Sequence, residues 1–221
     1  MSSARSNIKF KFFPAGTFQS INDDDPLPYY YKPIIGSLYR YRIQQGLSTL
    51  SPPYQTVLEF GYGSGLLLPT LSEISDKVYG IDTESDPEKV GLCLSKINVF
   101  PILIKNDLLK STFKDHTFDL IVAFSVFEHI RDCKPIIAEM FRILKPGGTL
   151  LVGMPRVDRK MAKLFKLIGY NTIERIHVTD YRIFLNTCEG YFKLEKFAKL
   201  FPFLPLYFGL YFNMLLRKNE L

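Results

Sequence analysis

Short apolar segments alternate with amphipathic ones through the middle of the chain. The apolar runs predict buried strands, and the spacing of apolar positions between them predicts helices. The predicted strands are residues 57–60, 77–81, 102–105, 118–124 and 149–154, and the predicted helices are residues 66–74, 86–97 and 136–144. The Lys-Pro-Gly-Gly run at residues 145–148 predicts a stop for the last of these helices. Strands that alternate with helices are typical of an α/β fold with a mostly parallel sheet.

The two ends of the chain have other patterns. Residues 1–28 predict an irregular arm, and residues 29–50 predict one amphipathic helix that follows Pro33. Residues 157–167 predict a basic helix, and residues 178–188 predict a further one. Residues 197–216 are strongly apolar, but Pro202 and Pro205 divide them into two strand-like halves. This pattern favours a terminal hairpin over an interfacial membrane segment, and it disfavours a membrane span.

Three glycines on alternate positions follow the first predicted strand, at Gly61, Gly63 and Gly65. Glycine allows positive φ and lets a ligand approach main-chain N–H groups. The next predicted strand ends at Asp82, and the ends of neighbouring parallel strands lie side by side. Asp82 is therefore expected beside the glycine turn, where its carboxylate can accept both hydroxyls of a ribose.

The spacing of the glycines discriminates between ligand classes. A dinucleotide-binding turn reads GxGxxG, whereas Leu66 stands here at the third glycine position and the acid Glu59 precedes the turn. A negative charge at the strand end suits a ligand that carries a cation rather than a pyrophosphate. The pattern of an acid, one residue and GxGxG, with a second acid closing the next strand, resembles the class I S-adenosylmethionine-dependent methyltransferases.

Later residues extend this resemblance. Phe-Asp-Leu-Ile at residues 118–121, Glu-His-Ile at residues 128–130 and Leu-Lys-Pro-Gly-Gly at residues 144–148 are similar to the region of strands four and five in the small-molecule, "methyltransferase type 11"-like branch of that family. The resemblance covers residues 55–155. It implies a doubly wound, seven-stranded and mostly parallel sheet with a C-terminal antiparallel hairpin, in a single domain over residues 1–221.

The resemblance also implies a structural role for each segment of that domain. Residues 1–50 would be an arm and a helix that covers a sheet edge or forms a lid, and tyrosines near Tyr29 would line the acceptor pocket. Residues 55–155 would form the core that binds the methyl donor, residues 156–190 a variable cap, and residues 191–221 the terminal hairpin.

S-adenosyl-L-methionine is the implied cofactor. The residues expected to contact it are Glu59, Gly61, Tyr62, Gly63, Gly65, Asp82, Thr83, Asn106, Asp107, Phe124 and Ser125. Glu59 and the glycines would face its amino-acid half and sulfur, Asp82 the ribose, and Phe124 or Ser125 its other side. Asp107 would accept from the adenine amino group, and its alternative role is to cap a helix or turn.

Methyl transfer from a sulfonium needs positioning and exclusion of water rather than a covalent protein nucleophile. A hydroxyl acceptor benefits from a base with a pKa near the working pH, which points to histidine. His129 is the first candidate for a catalytic role and His177 the second. The alternative for His129 is a structural role in the loop, and His116, in a polar turn, is expected to be only solvated.

The sequence says less about the methyl acceptor than about the cofactor. Quinone-type relatives can carry an ExxEH arrangement for a divalent metal, but Ser125 occupies the position of its first acid, so no metal is predicted. The Asn/Asp-Pro-Pro-aromatic run of DNA-methylating relatives is replaced by Phe-Ser-Val-Phe at residues 124–127. With 19 Phe and 13 Tyr, the chain favours O-methylation of a small, apolar or aromatic acceptor. The alternatives are an RNA methyltransferase, suggested by the basic residues 159–166, and a cofactor-binding interaction module without catalysis.

Composition adds few constraints. The 221 residues are 47% hydrophobic and 23% charged, as in ordinary globular proteins, and the net charge of +6 specifies no partner. The three cysteines, Cys93, Cys133 and Cys188, have no metal-binding spacing and suggest a reducing compartment. No secretory signal is predicted at the N-terminus. A cytoplasmic location is therefore expected, and peripheral membrane contact through the tip that contains Phe201 and Leu206 is left open.

Overall fold

The computed structural model describes residues 8–23, 25–156, 178–201 and 210–220. Within these residues, seven strands form one sheet in the order β3-β2-β1-β4-β5-β7-β6. The strands are β1 Tyr54–Phe60, β2 Ser75–Asp82, β3 Ile102–Lys105, β4 Phe118–Phe124, β5 Leu144–Pro155, β6 Phe192–Lys199 and β7 Tyr211–Lys218. The helices are α1 Leu27–Tyr30, α2 Pro33–Leu47, α3 Leu68–Glu73, α4 Pro87–Ser95, α5 Lys134–Ile143 and α6 Tyr181–Cys188.

The first five strands pair in parallel, and β7 pairs antiparallel with both β5 and β6. The chain runs outward from β1 in one direction through β2 and β3, and then crosses to β4 on the other side of β1. The carboxyl ends of β1 and β4 therefore flank the point where the strand order reverses, which is where open α/β sheets bind ligands. The predicted fold class and the terminal antiparallel hairpin are confirmed.

The sheet is covered on both faces, which is why its central strands are almost continuously apolar. On one face α5 and α6 bury side chains such as Met140 and Phe184. On the other face α2, α3 and α4 bury Leu47, Leu71 and Leu94. Full burial of each such side chain contributes roughly 1.5–3 kcal/mol. These two layers hold the strand ends in place around the site.

The region before β1 differs in detail from its prediction. The helix predicted after Pro33 is α2, whereas the short helix α1 before it was not predicted. Lys32 separates the two helices because it is extended before Pro33, with φ −70° and ψ 142°. A proline disfavours the α conformation in the residue that precedes it. The arm that precedes α1 is held across α2, since Phe10 N donates to Gln44 Oε1 at 2.8 Å and Gln44 Nε2 donates to Ile8 O at 2.7 Å.

The Lys-Pro-Gly-Gly run ends α5 as predicted, but it does not form a separate turn before β5. The strand begins at Leu144, which pairs with Phe118, and the next pair joins Leu120 to Thr149. Residues 145–148 therefore bulge out of the ladder, with Gly147 at φ +70°. A bulge at a strand end accommodates Pro146, which has no N–H to donate. His116, expected to be only solvated, lies here with Nδ1 3.1 Å from Leu144 O.

Several expectations concern segments outside the described residues. They are the basic helix at residues 157–167, His177, and most of the apolar tip, including Pro202, Pro205 and Leu206. Among the helices in the described ranges, none has the length and apolar character needed to cross a membrane.

Candidate functional site

A cavity of about 600 Å³ opens at the carboxyl ends of β1, β2, β3 and β4. It brings together the glycine turn, the residues after β2 and β3, the loop after β4, and α1. The predicted site residues among its lining are Gly61, Tyr62, Gly63, Asp82, Thr83, Asn106, Asp107, Phe124, Ser125 and His129. Glu59 and Gly65, also predicted, lie next to it but do not line it.

The three glycines of the turn have different surroundings, although each has a positive φ. A Cβ on Gly63 would meet nothing within 4 Å, whereas one on Gly61 would lie 2.4 Å from Val126 Cγ2. A Cβ on Gly65 would lie 2.8 Å from Val90 Cγ1, on α4. Gly63 therefore leaves space on the cavity side, while Gly65 makes room for helix packing.

Asp82 ties the end of β2 to this turn. Its Oδ2 accepts from Gly63 N at 2.9 Å, and its Oδ1 accepts from Glu84 N at 2.8 Å and Ser85 N at 3.0 Å. The parallel register that pairs Phe60 with Ile81 brings these groups together. A carboxylate has about four lone-pair sites, so Asp82 can still accept from a ligand while it holds the turn.

Glu59 is a buried carboxyl just below the turn. It is 6% exposed, and its Oε2 has no hydrogen-bond partner among the described residues. Burial, with a smaller contribution from the negative charge of Asp82, raises the pKa of Glu59 well above its usual value. An unpartnered buried oxygen at this position is suited to a cationic or hydrogen-bond-donating ligand group.

Asn106 and Asp107 follow β3 at the far end of the cavity. Asp107 Oδ1 accepts from Leu109 N at 3.0 Å and so caps the short 3₁₀ turn Leu108–Lys110. The side chain of Asn106 accepts from Asp107 N at 2.9 Å. The alternative role of Asp107 as a cap is therefore observed, in a residue that also lines the cavity.

The aromatic residues of the site are held by close packing on glycines. Tyr62 is 2% exposed, and a Cβ on Gly80 would lie 2.8 Å from its Cδ1. The Phe124 ring fills a slot in which a Cβ on Gly46 or Gly153 would lie 2.7 Å or 2.3 Å away. This slot fixes the ring between α2 and β5, so the loop after β4 starts from a rigid base.

A buried polar cluster behind Ser125 has members that the sequence analysis did not identify. It comprises Arg42, Glu128 and Tyr211, which are 8%, 1% and 3% exposed. Ser125 Oγ lies 3.2 Å from Tyr211 Oη, and the Ser125 side chain also faces the Glu128 carboxyl and acts to lower its pKa. The Arg42 guanidinium lies 4.5 Å from the centroid of the Tyr211 ring. Burial raises the pKa of Glu128 to about 8, although the positive charge of Arg42 opposes that shift.

The remaining cavity wall comes from the segment that precedes β1. Asp25 accepts from the backbone N–H groups of Ile21 and Leu27, both at 2.9 Å, and so shapes the entry to α1. Tyr30 lines the cavity, and its Oη accepts from Arg42 Nη2 at 3.2 Å. The tyrosines near Tyr29 were expected to line the acceptor pocket; Tyr30, the next residue in the chain, lines this cavity. No group of three or more His, Cys, Asp or Glu that could hold a metal occurs among the residues described.

The fold and the cavity define an α/β protein with a cavity at the switch point of a mostly parallel sheet. Residues 36–184 match the family model described as a methyltransferase domain. Because the match covers more than half of the chain, the protein belongs to the class I S-adenosylmethionine-dependent methyltransferases.

Relatives differ in the acceptor that their names state. The mitochondrial ubiquinone biosynthesis O-methyltransferase of Homo sapiens is 30% identical over 103 residues, covering 43% of this chain and 27% of that protein. Sterol 24-C-methyltransferase erg6 of Schizosaccharomyces pombe is 26% identical over 109 residues, covering 36% of this chain and 29% of that protein. The chain spans only part of the length of the curated relatives that it matches. It covers 27% of the human protein and 57% of a Vibrio parahaemolyticus ubiquinone biosynthesis O-methyltransferase.

Among solved structures, N-methyltransferase NodS from Bradyrhizobium japonicum WM9, in complex with S-adenosyl-L-homocysteine, has a TM-score of 0.65. The identity is 19%, and the likeness covers 91% of this chain and 95% of that one. At this identity the likeness shows the fold alone.

S-adenosyl-L-methionine is the cofactor of the class to which the chain belongs. The residues present fit it on three observations. A buried carboxyl oxygen of Glu59 has no partner among the described residues, Gly63 leaves open space at the turn, and polar groups at Asp82 and Asp107 stand at separate points along the cavity.

Proposed function

We propose that the protein transfers a methyl group from S-adenosyl-L-methionine to an oxygen atom of a small, apolar or aromatic acceptor. The observation that carries this proposal is the lining that the loop after β4 and the start of α5 give the cavity. It is apolar with one imidazole, and it comprises Val126, Ile130, Ile136 and His129. A cavity of this size holds a small ligand, since such sites measure about 300–1,000 Å³.

In this proposal the polar part of the cavity binds the cofactor. Glu59 and the backbone of Gly61, Tyr62 and Gly63 receive the amino-acid half, while Gly65 contributes through packing. Asp82 and Thr83 receive the ribose, and Asn106 and Asp107 the adenine. Phe124 and Ser125 border the cofactor on the acceptor side. The segment that contains Asp25 and Tyr30 then acts as a lid, which is the role proposed for residues 1–50.

When bound, S-adenosyl-L-methionine supplies a methyl group on a positively charged sulfur, and that charge is lost as an acceptor oxygen attacks in line. The apolar wall excludes water from this reaction. His129 is proposed to take the proton of the acceptor hydroxyl, because a neutral imidazole can accept a proton near neutral pH. His177 remains the second candidate for this role.

Calorimetric titration with S-adenosyl-L-methionine and, separately, with NADH tests the cofactor site. We expect micromolar binding of S-adenosyl-L-methionine and no binding of NADH.

Asp82→Ala should weaken binding of S-adenosyl-L-methionine about tenfold or more, a loss of about 1.4 kcal/mol. Asp86→Ala is the matched control, because Asp86 also accepts from backbone N–H groups, at the start of α4, but does not line the cavity. Wild-type affinity in Asp82→Ala would remove the ribose assignment.

Turnover with a panel of phenols and lipid-like alcohols tests the acceptor, with S-adenosyl-L-homocysteine as the measured product. His129→Ala should lower turnover while cofactor affinity stays nearly unchanged. Full turnover in that variant would remove His129 as the base. Cofactor binding without turnover on any acceptor would support the interaction-module alternative, and turnover on RNA with steep salt dependence would support the RNA alternative.

A further inference from the structure

Ser125 occupies an unusual position between the cavity and the buried polar cluster. It lines the cavity and has φ +58°, a left-handed conformation that is uncommon for a residue other than glycine. Its backbone N–H donates to Gly153 O at 2.7 Å, which holds the loop in this conformation. The hydroxyl contacts two buried partners at once, Glu128 and Tyr211.

The surroundings of Glu128 favour its neutral form. Its side chain is almost fully buried, and its Oε2 has no hydrogen-bond partner within the described residues. Leaving one oxygen of an ionised carboxylate buried and unpartnered is costly, so the proton stays on the group at neutral pH. The pKa of about 8, which burial raises against the opposing charge of Arg42, agrees with this geometric argument.

Within the part of the chain that the structure describes, three charged or titratable groups from other elements face the Glu128 side chain or its partners. Arg42 on α2 acts on Glu128, Glu128 acts on Tyr211 of β7, and Tyr30 on α1 faces both Arg42 and Tyr211. The segment before α6 contributes two uncharged contacts, because Val178 N and Thr179 N donate to the Glu128 carbonyl. Burial raises the pKa of Tyr211. The phenol of Tyr211 therefore stays protonated throughout the pH range in which Glu128 titrates.

Counting donors and acceptors then gives an arrangement in which the Ser125 hydroxyl proton is left for the cavity. A neutral Glu128 carboxyl can donate to Ser125 Oγ, and the Tyr211 hydroxyl can donate to its second lone pair. The proton of Ser125 is then free to point into the cavity. When Glu128 ionises it can only accept, and the Ser125 proton turns toward it.

We propose that Ser125 is a preset hydrogen-bond donor for the phenolic oxygen of the methyl acceptor, with Glu128 and Tyr211 as the residues that position it. This inference rests on the proposed function and narrows its acceptor class to phenols. As His129 takes the phenol proton, negative charge grows on the oxygen, and a hydroxyl aimed at that oxygen stabilises the charge. The site therefore binds an ionising phenol better than an aliphatic alcohol.

The test uses 4-nitrocatechol, a phenol whose ionisation is visible by absorbance, bound to the full chain saturated with S-adenosyl-L-homocysteine. No methyl group is then transferred, so the readout is binding and ionisation of the probe. We expect the bound probe to ionise at lower pH than the free probe. Its affinity should fall about tenfold between about pH 7 and about pH 9.5, as Glu128 ionises and the donor is withdrawn.

Two variants separate this inference from a structural role. Glu128→Gln keeps a neutral donor next to Ser125, so the affinity for the probe should no longer fall through this pH range. Ser125→Ala should bind about tenfold more weakly at neutral pH. Ser125→Gly, which the positive φ favours, serves the same purpose if the alanine variant does not fold. Glu195→Gln, at an ion pair with Arg217 on the sheet edge, should follow the wild-type profile.

The outcomes are distinct. If S-adenosyl-L-homocysteine does not bind, the proposed function fails. If it binds but the probe does not, or if Ser125→Ala or Ser125→Gly binds the probe as wild type does, the inference about Ser125 fails alone. A wild-type pH profile in Glu128→Gln would also overturn it, because Glu128 would then not control the direction of the hydroxyl.

Discussion

At the scale of single residues, Gly63 and Gly65 adopt positive φ for different reasons. Gly63 has open space where a Cβ would stand, whereas Gly65 has Val90 of α4 within 2.8 Å of that position. We expect Gly63→Ala to lower the free energy of unfolding by about 1–2 kcal/mol, the cost of a left-handed alanine. Its methyl group would also enter the cavity and weaken binding of S-adenosyl-L-methionine about tenfold.

Gly65→Ala is the comparison for that prediction. It carries the same backbone cost and adds a clash with α4, so its loss of stability should exceed that of Gly63→Ala. Urea unfolding gives the stability of each variant, and calorimetry gives its affinity for the cofactor. Equal stability losses in the two variants, or wild-type affinity in Gly63→Ala, would contradict the distinction.

The sequence allowed prediction of those residues whose partners are close along a strand-helix-strand unit. Asp82 lies beside Gly63 because parallel strands of one such unit end side by side, which spacing alone predicts. Glu128 and Arg42 could not be assigned in this way. Their environment depends on Tyr211, which reaches them only through the antiparallel return of β7. A buried polar cluster built from three distant segments leaves no local pattern.

At the scale of elements, α2 is fitted to the sheet by the Phe124 slot. A Cβ on Gly46 would lie 2.7 Å from Phe124 Cζ and 3.0 Å from Asn213 Oδ1. Alanine favours a helix over glycine by about 1 kcal/mol, but here α2 would have to move away from β7. We expect Gly46→Ala to lower the free energy of unfolding by roughly 1–3 kcal/mol. It should also weaken cofactor binding by displacing Phe124.

Gly91 provides the control for this prediction. It lies within α4, and a Cβ there would meet nothing within 4 Å. Gly91→Ala should therefore raise stability by about 1 kcal/mol, measured by urea unfolding under the same conditions. If both substitutions changed stability in the same direction, helix propensity rather than the slot would determine the effect at Gly46.

Element boundaries show where local patterns stop being informative. The apolar runs located the core strands well, because parallel strands covered on both faces must be apolar along their length. The start of α2 follows from one proline, Pro33, but the bulge at residues 145–148 depends on pairing with β4. The Lys-Pro-Gly-Gly run correctly predicts the end of α5, but tertiary pairing makes β5 begin before that run, at Leu144.

At the scale of the whole molecule, two proton-binding carboxyls lie in the interior, Glu59 on β1 and Glu128 in the loop that follows β4. Both have raised pKa values, through burial in each case. The folded protein therefore holds protons that the unfolded chain releases at lower pH. The stability that these two carboxyls contribute is fully present below their ordinary pKa and is lost as the pH rises through their folded-state pKa values.

This linkage gives a prediction for the intact chain. The pKa of Glu128 moves from 4.5 to about 8, so its contribution falls between those pH values and is constant above them. The loss is on the order of 4–5 kcal/mol at most, at about 1.4 kcal/mol per pH unit. Urea unfolding between about pH 5 and about pH 9 should show a smaller decline of the free energy of unfolding in Glu128→Gln than in wild type, with the variant more stable at alkaline pH.

Glu139→Gln is the control. Glu139 forms an ion pair with Arg142 on α5, and its variant should keep the wild-type dependence of stability on pH. Parallel wild-type and Glu128→Gln curves would mean that Glu128 is already ionised at neutral pH, and that Arg42 compensates its charge.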